Sequence, residues 1–380
     1  MCEERREIQA GQDNYRAERD TIEQLIGLKE AIDEDIEDEE DRLIGSFQDE
    51  IDRRPSYQGK GAILKEAITR CSRFLNEDKE REWKRELREV NRTAVQEEFA
   101  EISPPDDIAE EAAEEAEKNV ERIQDWFRSA AEADSSTYAL YCLLKSDGYF
   151  PDWETIEEIE SDTVLSSILP RVTISPEGDP IETEGSPLHD EDAERIPGPY
   201  KMQMQHLNLI LVNALYGLTE NGDITETNFI CLLSYTNRLS PDDQLFLMDL
   251  ITAVFEERYP ETIHLGMSRM ESVASTLLEK TGASVTSVDG TDIQQAGLGG
   301  LLRTVEDDYS EETGYYLRVK YAEKSGENLR NRTNHGQLFY NECHFMTAIL
   351  LLFDIFQILV TVSESEYTEY LGVTRYRFGS

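Results

Sequence analysis

Basic residues are scarce in this chain of 380 residues. It has 37 Lys and Arg against 80 Asp and Glu, so its formal net charge is −43. Repulsion among so many carboxylates destabilises a compact state unless salt screens it. Screening is strong near 1 M salt, where the Debye length is about 3 Å. We therefore expect adaptation to a salt-filled cytoplasm, that of a halophilic archaeon or its virus. An apolar content of 39% argues against a disordered acidic protein.

Cysteine is rare as well. The five cysteines are odd in number, lie far apart and form no CxxC pair. This pattern argues against a zinc site or a disulfide framework and indicates a reducing compartment. The first residues, Met1 to Arg6, lack the apolar core of a signal peptide. The sequence thus predicts a cytoplasmic protein without a metal or a cofactor.

Long apolar runs are absent except for one, from Phe345 to Val362. It has the length of a membrane span, but Asp354 and Gln357 lie in its middle. An aspartate at bilayer depth costs several kcal/mol. We expect a helix that is buried in a bundle or in a dimer interface, and no contact with a membrane.

The remaining pattern is helical, so the predicted fold is all-α. Residues 1–135 are predicted to form an acidic helical N-terminal region. Residues 136–199 combine a helical segment with a Pro- and Gly-rich linker, for which a functional lid is the alternative. A small hairpin fits residues 172–182 within that linker. Residues 200–380 predict a C-terminal helical bundle.

Apolar periodicity and turn residues divide the C-terminal part further. Helices are expected at about 263–280, 297–306, 312–333 and 338–362, with a polar turn at 282–294. The residues on which a functional assignment depends lie at the junction of the last two helices.

An arginine and a histidine stand close together at this junction, in the string Arg330-Asn331-x-x-x-His335. Arginine binds phosphate through a planar fork of donors and keeps its charge at any working pH. Histidine gives or takes a proton near neutrality. Together the two side chains can cleave RNA without a metal. Basic residues also outnumber acidic ones between positions 318 and 332, where they are Arg318, Lys320, Lys324, Arg330 and Arg332.

The fuller string from Gly326 to Gly336, Gly-x-Asn-Leu-Arg-Asn-x-x-x-His-Gly, resembles the catalytic signature of HEPN domains, in a prokaryotic branch described largely as uncharacterised. Three upstream stretches are similar to that branch as well: Ile263–Glu271, Leu277–Gly282 and Leu298–Leu302. Ser275 departs from it, because a long side chain is expected there. The resemblance implies an all-helical, homodimeric, metal-independent endoribonuclease whose two motifs form one composite cleft. It also implies a context of antiviral defence or of a toxin–antitoxin pair, with a defence protein or an antitoxin as partner.

The chemistry of the groups suggests their roles, because RNA carries its own nucleophile, the 2′-hydroxyl. His335 would act as general base or acid on the 2′-oxygen or the leaving 5′-oxygen. Arg330 would bind the scissile phosphate and stabilise its transition-state charge, and Asn331 would orient the phosphate or the imidazole. Further contacts to the substrate are expected from Arg332, Asn328 and Lys324. The products would be a 2′,3′-cyclic phosphate and a 5′-hydroxyl, and DNA would be inert.

On a straight helix Arg330 and His335 would lie about 140° apart. Either Gly336 ends the helix and turns His335 inward, or a two-fold dimer places one motif against the other. Two non-catalytic interpretations stand beside these. The arginine and the histidine can simply cap carbonyls and pair with nearby acids, or the chain can be a helical scaffold that binds RNA or a protein without cleaving it.

Overall fold

The computed structural model describes residues 15–32, 34–97, 106–156, 171–174, 180–184, 198–289, 292–323 and 326–371. Helices dominate these residues, and the prediction of an all-α fold is confirmed. The helices of the N-terminal half are α1 (Tyr15–Ala31), α2 (Glu37–Arg53), α3 (Tyr57–Arg70), α4 (Glu77–Glu97), α5 (Asp106–Ala133) and α6 (Ser136–Leu144). Those of the C-terminal half are α7 (Gly198–Glu220), α8 (Glu226–Ser234), α9 (Pro241–Phe255), α10 (Tyr259–Thr281), α11 (Leu298–Asp308), α12 (Glu311–Tyr321), α13 (Leu329–Asn334), α14 (Phe345–Val362) and α15 (Glu364–Leu371).

Two short antiparallel hairpins interrupt the helices. Strand β1 (Arg171–Ile174) pairs with β2 (Pro180–Glu184), at the position where the sequence predicts a small hairpin. Strand β3 (Thr286–Asp289) pairs with β4 (Asp292–Gln295), inside the segment predicted as a polar turn. Each hairpin forms a sheet of its own, so neither changes the helical class of the fold.

The chain divides into two compact units. Unit 1 comprises residues up to 103 together with 171–184, and unit 2 comprises 104–170 together with 185–380. This division differs from the predicted boundary at 135, because α5 packs in unit 2. There the Arg128 guanidinium donates to the Asp223 carboxylate at 2.9 Å. The predicted segment 136–199 is not separate either, since the residues of α6 belong to the core of unit 2.

Unit 1 contains the four charge-dense helices α1 to α4 around a small apolar core. Its buried side chains include Ile22, Ile26, Leu43, Phe47, Leu64 and Trp83. Arg19 is buried among them and forms an ion pair with Glu50 at 2.5 Å, which offsets part of the cost of removing its charge from water. Two apolar residues of this region do not join the core, because Leu28 in α1 and Ile32 directly after it are exposed.

Unit 2 is built around α14, which contacts α6, α7, α9, α10 and α12. Its side chains are buried from Leu351 to Val362. By length and composition α14 qualifies as a membrane span, but 78% of it is buried inside the protein, which confirms the prediction of a buried bundle helix. The charge of Asp354 is met by Lys320 Nζ at 2.6 Å.

The interior position of α14 removes one argument for a dimer. The sequence left open whether the large apolar side chains of this helix are buried in a bundle or in a dimer interface. Within a single chain Phe356 is already fully buried, and its ring centroid lies 5.0 Å from that of Phe229. Only the first turn of α14, near Phe345, and the side chain of Leu350 are partly accessible. A dimer therefore has to use other residues.

The two last predicted helices are each broken. The helix expected at 312–333 is two helices, α12 and α13, with a loop between them. The helix expected at 338–362 is a 3-10 turn, Tyr340–Glu342, followed by α14. Because of these breaks α13 is a separate short helix, and it packs against α10 and α12.

Candidate functional site

The start of α13 is fixed by a glycine and by an asparagine of left-handed conformation. A Cβ on Gly326 would overlap the carbonyl oxygen of Val319, the same oxygen that accepts the Glu327 N–H at 3.2 Å. Asn328 follows with φ 51° and ψ 36°, a region that asparagine tolerates better than most residues. The loop therefore lies directly against α12, and this contact sets where α13 begins.

The end of α13 is a glycine-terminated cap. Gly336 has φ 68°, its N–H donates to Thr333 O at 3.2 Å, and the Gln337 N–H donates to Arg332 O at 2.7 Å. This pair of bonds is the Schellman arrangement, in which a left-handed glycine ends the helix. The prediction that Gly336 stops the helix is confirmed, but His335, at the last position before it, is exposed and is not turned inward.

Four residues apart, Leu329 and Thr333 form the inward face of α13. Thr333 is buried and its hydroxyl donates to Leu329 O at 2.8 Å, while Leu329 packs against the core of unit 2. Residues at this spacing share one helical face, so Arg330, Asn331 and Arg332 point to the sides and outward. The short helix is thus held by its apolar face and presents its polar residues.

Arg330 and Asn331 are held in a small polar network. Arg330 Nη2 donates to Glu271 Oε2 on α10 at 2.7 Å, and Arg330 Nη1 lies 3.3 Å from Asn331 Oδ1. Asn331 Nδ2 in turn donates to Asn328 Oδ1 at 2.7 Å. The Arg330 guanidinium is one-third exposed and keeps N–H groups beyond those two bonds. It can therefore bind an anion without leaving Glu271.

His335 is exposed, and in the described part of unit 2 no hydrogen bond to its imidazole ring is formed. Its backbone N–H donates to Asn331 O at 2.9 Å, which fixes the main chain while the ring stays accessible. No hydrogen bond joins His335 to Arg330 among the described residues. The predicted catalytic residues Arg330 and Asn331 are thus brought together, whereas His335 lies at the end of the helix, five positions after Arg330.

Arg332 is turned towards the segment that follows the motif. Its Nη2 donates to Glu342 Oε1 at 2.6 Å, and Glu342 Oε2 accepts the Phe339 N–H at 2.9 Å. The guanidinium thereby ties α13 to the 3-10 turn. The expected phosphate contact of Arg332 competes with this ion pair.

The locally basic window between 318 and 332 does not form a cationic surface. Arg318 is 2% exposed and is bound by Glu306 at 2.9 Å, and Lys320 is 2% exposed and is bound by Asp354. Lys324 lies outside the described residues. Because Arg330 and Arg332 also have carboxylate partners, each described cation of this window belongs to an ion pair.

A buried polar network lies beneath the site. Tyr321 and Lys320 both donate to Asp354 Oδ2, at 2.5 and 2.6 Å, and Lys320 also donates to the hydroxyl of Tyr316 at 2.9 Å. Glu327, directly before Asn328, approaches the same network. Burial raises the pKa of Glu327 above its ordinary 4.5, and the charge of Lys320 only partly opposes this.

Sequence reasoning missed the partners of the motif. Glu271 lies 59 positions from Arg330, and the sequence marks it only as part of a stretch similar to the HEPN branch. Glu342 gave no signal at all. The same is true of two exposed aromatic side chains, Phe339 and Tyr340, which are 46% and 83% exposed just after His335.

Comparisons with known proteins give no match. No protein-family model matches the chain, and neither the curated proteins nor the solved structures contain a significant match. The functional assignment therefore depends on the motif residues and their contacts.

Proposed function

We propose that this protein is a metal-independent endoribonuclease that cleaves RNA by attack of the 2′-hydroxyl on the adjacent phosphate. One observation carries the proposal: His335 is exposed, no described side chain binds its ring, and it caps the short helix on which Arg330, five positions earlier, is partly exposed and oriented by Glu271. An accessible imidazole can exchange protons, and a fixed guanidinium can hold a phosphate. The likeness of the string Gly326–Gly336 to the HEPN signature supports the same reaction.

In this reaction the 2′-oxygen forms a bond to phosphorus as the bond from phosphorus to the 5′-oxygen breaks. One proton leaves the 2′-hydroxyl and one is delivered to the 5′-oxygen. His335 performs one of these transfers. Arg330, positioned by Glu271, binds the phosphate and stabilises the negative charge that develops on it in the transition state. Asn331 accepts a hydrogen bond from the second terminal nitrogen of the guanidinium, Nη1. The products are a 2′,3′-cyclic phosphate and a 5′-hydroxyl.

The decisive measurement is cleavage of labelled RNA at molar KCl, with and without EDTA. His335→Ala and Arg330→Ala should each lower the rate at least about 100-fold, because one group moves protons and the other handles charge. His206→Ala, an exposed histidine on α7, is the matched control and should cleave like the parent. Full activity of His335→Ala would refute the proposal, and loss of activity in EDTA would indicate a metal enzyme.

A homodimer with a composite cleft is part of the proposal, together with the cytoplasmic defence or toxin–antitoxin context. Mixing the two inactive variants, Arg330→Ala and His335→Ala, tests the cleft directly. If one chain supplies the arginine and the other the histidine, mixed dimers regain one intact site and cleavage returns. If each site lies within one chain, the mixture stays inactive.

A helical scaffold without catalysis is the second candidate, and the ion pairs favour it. Arg330 and Arg332 both have carboxylate partners at hydrogen-bonding distance, as expected of arginines with a purely structural role. In that case the parent should not cleave RNA, and Arg330→Ala should lower the melting temperature. His335→Ala should leave the melting temperature unchanged. The same set of variants therefore separates the two candidates.

A further inference from the structure

The segment from Asn328 to Asn341 differs from the rest of this acidic protein. It contains no Asp or Glu, it carries Arg330, Arg332 and His335, and most of it is accessible. At its end stand Phe339 and Tyr340, with 46% and 83% of their surface exposed. Exposed aromatic residues beside a site that handles phosphate are a means of holding unpaired bases.

The backbone that carries the aromatic pair is held by hydrogen bonds. The Glu342 N–H donates to Phe339 O at 3.0 Å, and the Cys343 N–H donates to Tyr340 O at 3.1 Å, which closes the 3-10 turn. The Glu342 carboxylate then bridges two elements, because one oxygen accepts from the Phe339 N–H and the other from Arg332 on α13. The Glu342 carboxylate therefore links the turn to the helix that bears Arg330.

Charge alone gives this surface little affinity for RNA. The described arginines of the segment are each matched by a carboxylate, Glu271 for Arg330 and Glu342 for Arg332. Affinity that depends on phosphate contacts also falls steeply as salt rises. Stacking of a base on an aromatic ring does not depend on charge, and it is strong enough to orient a nucleotide.

We propose that Phe339 and Tyr340 are a stacking platform that selects single-stranded RNA for the site beside them. The platform binds unstacked bases next to the scissile phosphate, and paired bases within a duplex cannot present their faces to it. Arg332 is then a positioning residue, which holds the platform through Glu342. The inference depends on the proposed function for its choice of RNA as ligand.

The test uses the full chain with His335→Ala, so that RNA stays intact, and a fluorescein-labelled oligo(A) RNA of about 12 nucleotides, a length within the range of known single-strand sites. Fluorescence anisotropy should show Tyr340→Ala binding about 5-fold to 150-fold more weakly, the value of one base–aromatic stack. Tyr340→Phe keeps the ring and should bind like the parent. Tyr370→Ala removes another exposed tyrosine, on α15, and should have no effect.

Two further readouts belong to the same experiment. The parent should bind the oligonucleotide far better than its duplex, and Tyr340→Ala should lose this preference. Because the motif offers few phosphate contacts, the slope of log affinity against log [KCl] should be shallower than about −1.4, the value for two contacts on a single strand. In the cleaving protein, Tyr340→Ala and Arg332→Ala should raise KM with little change in kcat.

The outcomes separate this inference from the proposed function. If RNA is cleaved but Tyr340→Ala binds and discriminates like the parent, the platform is refuted and the nuclease stands. If RNA is bound with the expected dependence on Tyr340 but never cleaved, the platform stands and the nuclease falls. If Tyr340→Ala instead converts a dimer into monomers in light scattering, with unchanged RNA affinity, the aromatic pair is a self-association surface and the inference is overturned.

Discussion

Glu327 couples the motif loop to the pH of the solution. It immediately precedes Asn328, and burial raises its pKa above 4.5. A carboxyl group whose folded-state pKa is raised favours the folded state most when it is protonated, so its contribution to stability is complete below about pH 4.5 and is lost as pH rises through the folded-state pKa. Glu327→Gln keeps the group neutral and should therefore be more stable than the parent at pH 7, but equally stable near pH 4.

Thermal melts of parent and Glu327→Gln at molar KCl, from pH 4 to pH 8, measure this difference. Glu279→Gln on α10 is the control, because it removes the same charge from an exposed position. Equal melting temperatures of the parent and Glu327→Gln at all pH values would contradict the assignment. A gain in stability that Glu279→Gln shares would assign the effect to net charge.

Single residues also show how far the sequence alone could lead. Arg330, Asn331 and His335 are proposed from local spacing, which the sequence shows directly. Glu271 and Glu342 are not, because an ion pair between helices depends on how the helices pack, which spacing does not encode. The expected basic surface between 318 and 332 is absent among the described residues for the same reason, since Arg318 and Lys320 are buried and paired with Glu306 and Asp354.

Among the elements, α13 depends most on one small residue. Gly326→Ala would force its Cβ into the carbonyl of Val319, so the loop and the start of α13 have to shift. Overpacking of this kind lowers the free energy of unfolding by about 1–3 kcal/mol. A displacement of Arg330 should lower the cleavage rate more than it lowers stability, because catalysis depends on precise positioning. We expect a lowered melting temperature and RNA cleavage reduced at least about 10-fold.

The control for this variant is Gly45→Ala in α2. Nothing lies within 4 Å of a Cβ built there, so alanine should stabilise the helix by up to about 1 kcal/mol. If Gly326→Ala matched Gly45→Ala in melting temperature and in cleavage, the close contact with Val319 would have no functional meaning.

Helix prediction succeeded where periodicity was uninterrupted and failed at the breaks. α10 was expected at 263–280 and spans Tyr259–Thr281. The stretch 312–333 looked continuous because its apolar spacing persists, although the chain leaves the helix after Tyr321. What interrupts it is the tight contact of Gly326 and the left-handed Asn328, and neither changes the pattern of apolar residues.

For the whole molecule the net charge of −43 governs the response to salt. Unscreened repulsion between carboxylates grows as the Debye length rises from about 3 Å at 1 M salt to about 10 Å at 0.1 M. The melting temperature should therefore fall as KCl is diluted, and circular dichroism should show loss of helix at the low end.

Sucrose at matched osmolality is the control, because it favours compact states without screening charge. A protein stabilised by KCl and by sucrose alike would not need screening. A melting temperature that stays flat or rises on dilution would contradict adaptation to high salt, and a bound multivalent cation would then have to be sought.

The division into units determines which fragments of the chain can fold. A fragment that starts at residue 200 omits α5 and α6, and with them Phe127, Leu140 and Leu143 from the core of unit 2. Truncation at 104 retains both helices but carries along the hairpin 171–184, which belongs to unit 1. No single cut separates the two units, and a chain that starts between residues 185 and 197 lacks α5 and α6 from the core of unit 2. To isolate unit 2, the internal segment 171–184 has to be excised in addition to the N-terminal residues.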